Sequence, residues 1–140
     1  MSIDVDRCRS MSAVQATVRT MTTSTRAALG QMGQDAAERW YVGRGYRVVA
    51  RNWRCSVGEL DLVLTRGRTV IICEVKTRRG SRFGGGFEAV DARKRRKLRA
   101  VAEVYLLHTH APAIAIRFDV ASVAVRAGDS AGVQVFEDAF

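Results

Sequence analysis

Residues 57–77 read Val57-Gly58-Glu59-Leu60-Asp61-Leu62-Val63-Leu64-Thr65-Arg66-Gly67-Arg68-Thr69-Val70-Ile71-Ile72-Cys73-Glu74-Val75-Lys76-Thr77. Leu60, Leu62 and Leu64 alternate against Glu59, Asp61 and Val63, the period of two that predicts a strand over Val57–Thr65. The β-branched run Val70-Ile71-Ile72 predicts another over Thr69–Thr77. Between them, Gly67-Arg68 suits a two-residue type II′ loop, which takes glycine first. That loop pairs Arg66 with Thr69, and so Asp61 with Glu74 and Glu59 with Lys76. Side chains two apart share a face, so Glu74 emerges with Lys76 and Glu59 with Asp61.

Working outward, Leu29, Met32, Ala36, Ala37, Trp40 and Tyr41 recur at three- and four-residue steps, predicting a helix from Ala27 to about Gly43. Tyr46–Arg54 reads as a strand. After Thr77, Arg78 to Gly86 reads as a glycine- and arginine-rich loop. A second helix fits Phe87–Leu107, with Val90, Lys94, Leu98, Val101 and Tyr105 on one stripe. Ile114, Ile116, Phe118 and Val120 alternate as a fourth strand, and Val133–Phe136 adds a short edge strand. The expected order is αβββαβ with one further strand, an α/β fold with a mixed sheet flanked by helices.

The chain has 140 residues, the size of one domain, and 47% hydrophobic content suffices for one core. Residues 1–25, rich in Ser, Thr and Arg without hydrophobic periodicity, read as a disordered tail ahead of a domain over 26–140. With 23 Lys and Arg against 14 Asp and Glu, the net charge of +9 favours a polyanionic partner, nucleic acid before a membrane surface. No apolar run approaches the ~20 residues that span a bilayer, so a soluble, cytoplasmic protein is expected. Cys8, Cys55 and Cys73 form no zinc-ligand pattern. His108 and His110 fall at a helix end before Pro112.

Opposed carboxylates destabilise a sheet unless they share a proton or hold a cation. Asp61, Glu74, a backbone carbonyl such as that of Val75 and several waters would suit Mg²⁺ or Mn²⁺. Lys76 beside the ion would orient or help deprotonate a water and stabilise charge on a phosphate. The competing reading is a solvent-facing amphipathic hairpin carrying a Glu59–Lys76 ion pair.

The literal text Gly58-Glu59-Leu60-Asp61-Leu62, Cys73-Glu74-Val75-Lys76-Thr77-Arg78 and Arg117-Phe118-Asp119-Val120 closely resembles the bacterial YraN-like family of predicted endonucleases. That family's signature reads G-E-I-D-L and V-E-V-K-T-R. It resembles archaeal Holliday-junction resolvases and belongs with the restriction-endonuclease-like PD-(D/E)XK superfamily. The resemblance spans about Leu29 to Val120 and includes Gly45-Tyr46, Asn52-Trp53-Arg54 and Phe83-Gly84. It implies the restriction-endonuclease-like αβββαβ core, Asp61 and Glu74 as metal ligands, and Lys76 as the catalytic lysine. The family has Gly-Glu early in the first helix where this chain has Gly33-Gln34. Gln34 offers a carbonyl oxygen without charge. Glu38, one turn on, is a substitute, and Glu59 is a further acid of the site.

Arg93, Lys94, Arg95, Arg96, Lys97 and Arg99, with Arg78, Arg79 and Arg82 in the preceding loop, form the expected phosphate-binding surface. No base-reading motif accompanies them, so recognition of DNA structure is expected before recognition of sequence. Three functions remain compatible: an endonuclease on branched or damaged DNA, a catalytically decayed binding module of the same fold, and an interaction protein, with homodimerisation open.

Overall fold

A computed structural model describes residues 21–80 and 90–140. The elements are α1 (Met21–Val42), β1 (Arg47–Arg54), β2 (Glu59–Arg66), β3 (Thr69–Arg79), α2 (Ala92–Thr109), β4 (Ala115–Val125) and β5 (Ala131–Phe136). The strands make one mixed sheet in the order β1-β2-β3-β4-β5. Only β3 and β4 pair in parallel. Parallel neighbours need a long crossover, and the segment carrying α2 supplies it. The αβββαβ order expected from the sequence is present, with β5 added at the edge.

Each helix covers one face. Ala36, Ala37 and Tyr41 of α1 pack with Leu62, Leu64, Ile71 and Cys73; Leu98, Val101, Val104 and Tyr105 of α2 pack with Leu60, Val63, Val70 and Ile72. A sheet covered twice needs apolar residues on both sides of its central strands. Hence Leu62-Val63-Leu64, Val70 to Cys73 and Phe118 to Val125 are buried without a break.

Several boundaries move. α1 begins at Met21, inside the stretch expected to be a tail, of which residues 1–20 lie outside the described residues. Arg78 and Arg79 belong to the end of β3 and not to the loop, because β4 continues as their parallel partner through Val125. Arg82 lies outside the described residues, as do the first positions expected for the second helix. α2 starts at Ala92, where the Asp91 side chain accepts a hydrogen bond from Lys94 N at 2.8 Å as an N-cap.

The most consequential difference lies in β2. The leucine alternation predicted one apolar face, yet Leu60 packs toward α2 whereas Leu62 and Leu64 pack toward α1. The side-chain alternation breaks at Asp61. Its partner strand breaks at the same level: Asn52 takes the left-handed conformation, φ 47°, and Arg51 and Asn52 both reach α1, bonding Asp35 and Gln34. Backbone in that region is uncommon for a non-glycine residue, and asparagine tolerates it better than most.

The helices sit close because small residues face them. A Cβ on Gly33 of α1 would stand 1.8 Å from Thr77 Oγ1 of β3, whereas a Cβ on Gly30, one turn earlier, would meet nothing within 4 Å. Two glycines of one helix therefore respond oppositely to the same change. Gly33→Ala destabilises the protein by about 1–3 kcal/mol through overpacking, and Gly30→Ala stabilises it by about 0.5–1 kcal/mol through helix propensity. Urea unfolding midpoints test this, and equal shifts for both variants would contradict the close approach of α1 to β3.

Candidate active site

β2 and β3 stay in register from Arg66↔Thr69, the rung expected from the turn, to Leu62↔Cys73. Gly67 takes the positive φ, 60°, that a type II′ loop asks of its first residue. Beyond Leu62 the strands part, so the expected rungs Asp61–Glu74 and Glu59–Lys76 do not form. Asp61 instead turns its carboxylate into the gap, where Oδ2 accepts a hydrogen bond from the backbone N–H of Val75 at 2.8 Å. In an extended strand the N–H and C=O of one residue leave on the same side. The Val75 carbonyl therefore opens on the gap as well.

Glu74 is only 6% exposed. Lys76, two residues along β3, brings Nζ to 3.0 Å from Glu74 Oε1, and Lys94 from the first turn of α2 brings its own Nζ to 3.3 Å from the same oxygen. Glu59 does not pair with Lys76, but it shares a cleft with Asp61 and its charge adds to the rise of the Asp61 pKa. The break at Asp61 leaves Glu59 paired with β1, where it forms a surface ion pair with Arg54 at 3.0 Å, an arrangement of little energetic weight.

Burial, and then the neighbouring Glu74 carboxylate, push the Asp61 pKa up to about 6, against the Val75 N–H and the Lys94 charge, which favour ionisation. Two partly buried carboxylates with one backbone donor between them have oxygens to spare. Among the described residues no cluster of three or more His, Cys, Asp or Glu side chains exists, so a cation here would take two carboxylates, a carbonyl and waters. That set fits Mg²⁺ or Mn²⁺, hard ions that retain water, and does not fit a structural zinc.

On the α1 side a cleft of about 1100 Å³ is lined by Arg26, Gly30, Gln34, Asn52, Arg54 and Asp61, among others. Gln34 thus faces the same space as Asp61, as expected of its place on the first helix. Its amide is engaged: Gln34 Nε2 donates to Asn52 Oδ1 at 2.7 Å, and Asn52 Nδ2 donates back to Gln34 Oε1 at 2.9 Å. Glu38 is not brought to the cleft. Arg51 Nη1 stands 2.9 Å from Glu38 Oε2, close enough for an ion pair although the angle falls short of a hydrogen bond and Oε2 has no other partner.

The basic helix divides by face. Lys94 and Lys97 look toward β2 and, with Arg54, line a cavity of about 320 Å³ beside Gly58. Arg93 and Arg96 are exposed. Arg95 and Arg99 lie over the Phe140 ring at 5.6 and 5.5 Å, and Arg99 also lies over Phe118. The six residues expected to form one phosphate-binding surface are therefore not equivalent, since 95 and 99 share the helix face on which the C-terminal aromatic packs. The histidines belong to the end of α2, with His110 as its left-handed C-cap and His108 against Trp53.

Two site features escaped the sequence reading. Asn52 was legible only as part of a short motif, because a single left-handed residue leaves no periodic trace. Lys94 carried a signal, a lysine on the apolar stripe of its helix, that reads as a phosphate contact until Glu74 is seen beneath it.

The Asp61 shift has a consequence for stability. Its folded pKa of about 6 lies above the ordinary 3.8, so the folded state keeps a proton that the unfolded chain releases. The resulting stability is full below pH 3.8 and is lost as pH rises through 6. Asp61→Asn, which preserves an acceptor for Val75, should raise stability at pH 7.5 without divalent ions by up to about 3 kcal/mol. The difference should close toward pH ~4. Thermal melts across that range test it, and a variant that is less stable at pH 7.5 would show that the ionised carboxylate holds the strands together.

Residues 33–123 match the Uncharacterised protein family UPF0102. A UPF0102 protein of Frankia alni is 46% identical over 104 residues, covering 74% of this chain and 86% of the relative. Another, of Mycolicibacterium vanbaalenii, is 45% identical over 103 residues, covering 74% and 85%. One of Moorella thermoacetica is 41% identical over 119 residues, covering 84% and 99%. The match contains the α1 glycine at 33, both strands of the site and α2, and the chain belongs to the UPF0102 family.

Proposed function

We propose that this chain is a divalent-cation-dependent endonuclease that hydrolyses DNA phosphodiesters and selects branched or damaged structures over base sequence. The observation that carries the reading is the meeting of Asp61, Glu74, Lys76 and Lys94 where β2 leaves β3. Asp61, Glu74 and the Val75 carbonyl would hold Mg²⁺ or Mn²⁺, which when bound lowers the pKa of water and neutralises phosphate oxygens.

The protein's own groups do the remainder. The Val75 N–H holds Asp61 in one orientation, so little reorganisation is needed during reaction. Lys76, ion-paired with Glu74, is an ammonium and acts as a donor: it orients the attacking water and stabilises charge developing on the scissile phosphate. Arg93, Arg96 and Lys97, with Arg78 and Arg79 at the end of β3, contact backbone phosphates. Phosphates are common to every sequence, which leaves selection to DNA shape.

A second reading, a binding module whose catalysis has decayed, draws support from Gln34, whose amide oxygen is taken by Asn52 and carries no charge. Gln34→Glu separates the two. A wild-type chain that cleaves with Mn²⁺ supports the nuclease, and one inert until glutamate is introduced is a decayed nuclease retained for binding.

The direct test is cleavage of branched, flap, single-stranded and duplex DNA with Mg²⁺ or Mn²⁺. Asp61→Asn, Glu74→Gln and Lys76→Met should each lower the rate by about 10²-fold or more, with DNA affinity unchanged or tighter. Full activity in any of them would remove that residue from the site. Replacing Arg93, Arg96 and Lys97 together with Ala should flatten the slope of log affinity against log salt by about 2–3. An unchanged slope would remove α2 from the DNA surface.

A further inference from the structure

Lys94 stands on the apolar stripe of α2, where Leu98, Val101 and Tyr105 are buried. Its side chain, 36% exposed, lies at the margin of that core. Lys94 finds Glu74 Oε1 at 3.3 Å, an oxygen already paired with Lys76 at 3.0 Å. Two ammonium groups on one carboxylate oxygen repel each other, and Lys94 is the one whose charge also bears on the neighbouring Asp61.

The two lysines are not alike in their freedom to leave. Lys76 lies on the same strand as Glu74, two residues away, and shares its face. Lys94 belongs to a different element, with its backbone held by the Asp91 cap and its ammonium on a flexible four-carbon stem. Its side chain also borders the cavity of about 320 Å³ lined by Lys97, Arg54 and Glu59, the last two ion-paired with each other. A short rotation about that stem exchanges one environment for the other.

Resting on the nuclease reading, we propose that Lys94 is an internal counter-ion of Glu74: it occupies the place of the divalent cation when none is bound, and once displaced it takes a DNA phosphate at the Arg54–Lys97 cavity. Cation binding and DNA binding are then linked. Release of Lys94 adds a contact to DNA, and DNA that draws Lys94 away relieves competition for Glu74, so each ligand tightens the other.

Binding of Mn²⁺ alone, followed by electron paramagnetic resonance or calorimetry on the full chain, tests this without reference to cleavage. Lys94→Met should bind Mn²⁺ about fivefold or more tightly than wild type, and Arg126→Met, which removes an exposed cation in the turn before β5, should bind as wild type does. A saturating short DNA duplex should tighten Mn²⁺ binding more in wild type than in Lys94→Met. If the methionine variant fails to fold, Lys94→Gln, which retains a donor to Glu74 without the charge, should show the same order. Equal Mn²⁺ affinity in wild type and Lys94 variants, or equal tightening by DNA, overturns the counter-ion role and leaves the nuclease reading standing. Mn²⁺ binding by the Lys94 variants but not by wild type supports the counter-ion role and counts against catalysis by the unaided chain. Absence of binding in all of them overturns both.

Discussion

Where β2 parts from β3, the amide of Val75 loses the carbonyl that a continued ladder would offer, and the Asp61 carboxylate takes that place at 2.8 Å. A buried N–H left without an acceptor would cost about 1–3 kcal/mol, so strand separation and the Asp61 side chain depend on each other. The same bond places Asp61 beside Glu74, where burial and then the Glu74 charge raise its pKa against the pull of the Val75 N–H, and leaves the Val75 backbone facing the opening. The candidate site is thus a local failure of sheet pairing, lined by groups that a continuous sheet would have consumed.

The separation is accommodated on the neighbouring strand. Asn52 in its left-handed conformation reverses the β1 side-chain faces, the reciprocal amide pair with Gln34 ties it to α1, and a bulge between Val48 and Ala50 lies earlier in the same strand. Bulges commonly re-aim side chains near functional sites. Gly33 lets α1 approach Thr77 of β3, and Gly58 admits Lys97 and Val101 of α2. Both helices are seated by glycines within a few residues of the groups they carry to the cleft.

A second buried carboxylate shows what a satisfied one looks like. Asp119 on β4 is fully buried and accepts hydrogen bonds from Tyr41 Oη, from Arg117 Nε and Nη2, and from the Asp138 amide. Burial also pushes the Tyr41 phenol and the Cys73 thiol up, so both remain protonated beside it. Four donors, two of them from one guanidinium, make Asp119 a structural anchor between α1, β4 and the C-terminal segment. Asp61, with one backbone donor and a carboxylate neighbour, is left with capacity to bind.

Strand and helix identity, the turn at Gly67 and the coincidence of Asp61, Glu74 and Lys76 were legible in the sequence, because periodicity and turn chemistry are local properties of the chain. The αβββαβ order followed from them together with the family resemblance. The break in β2 was not legible, since Leu60, Leu62 and Leu64 keep a perfect alternation while the strand itself reverses its faces at Asp61. Glu38 looked equivalent to the site acids and was drawn to Arg51, whereas Glu59 stays at the cleft beside Asp61 while paired with Arg54. Nor does a run of basic residues reveal which of them touches a carboxylate, which covers an aromatic ring and which faces water. The sequence by itself determined which groups exist and which secondary structure carries them; tertiary packing, by choosing where two strands separate and which face of α2 lies over them, decided which of those charges meet.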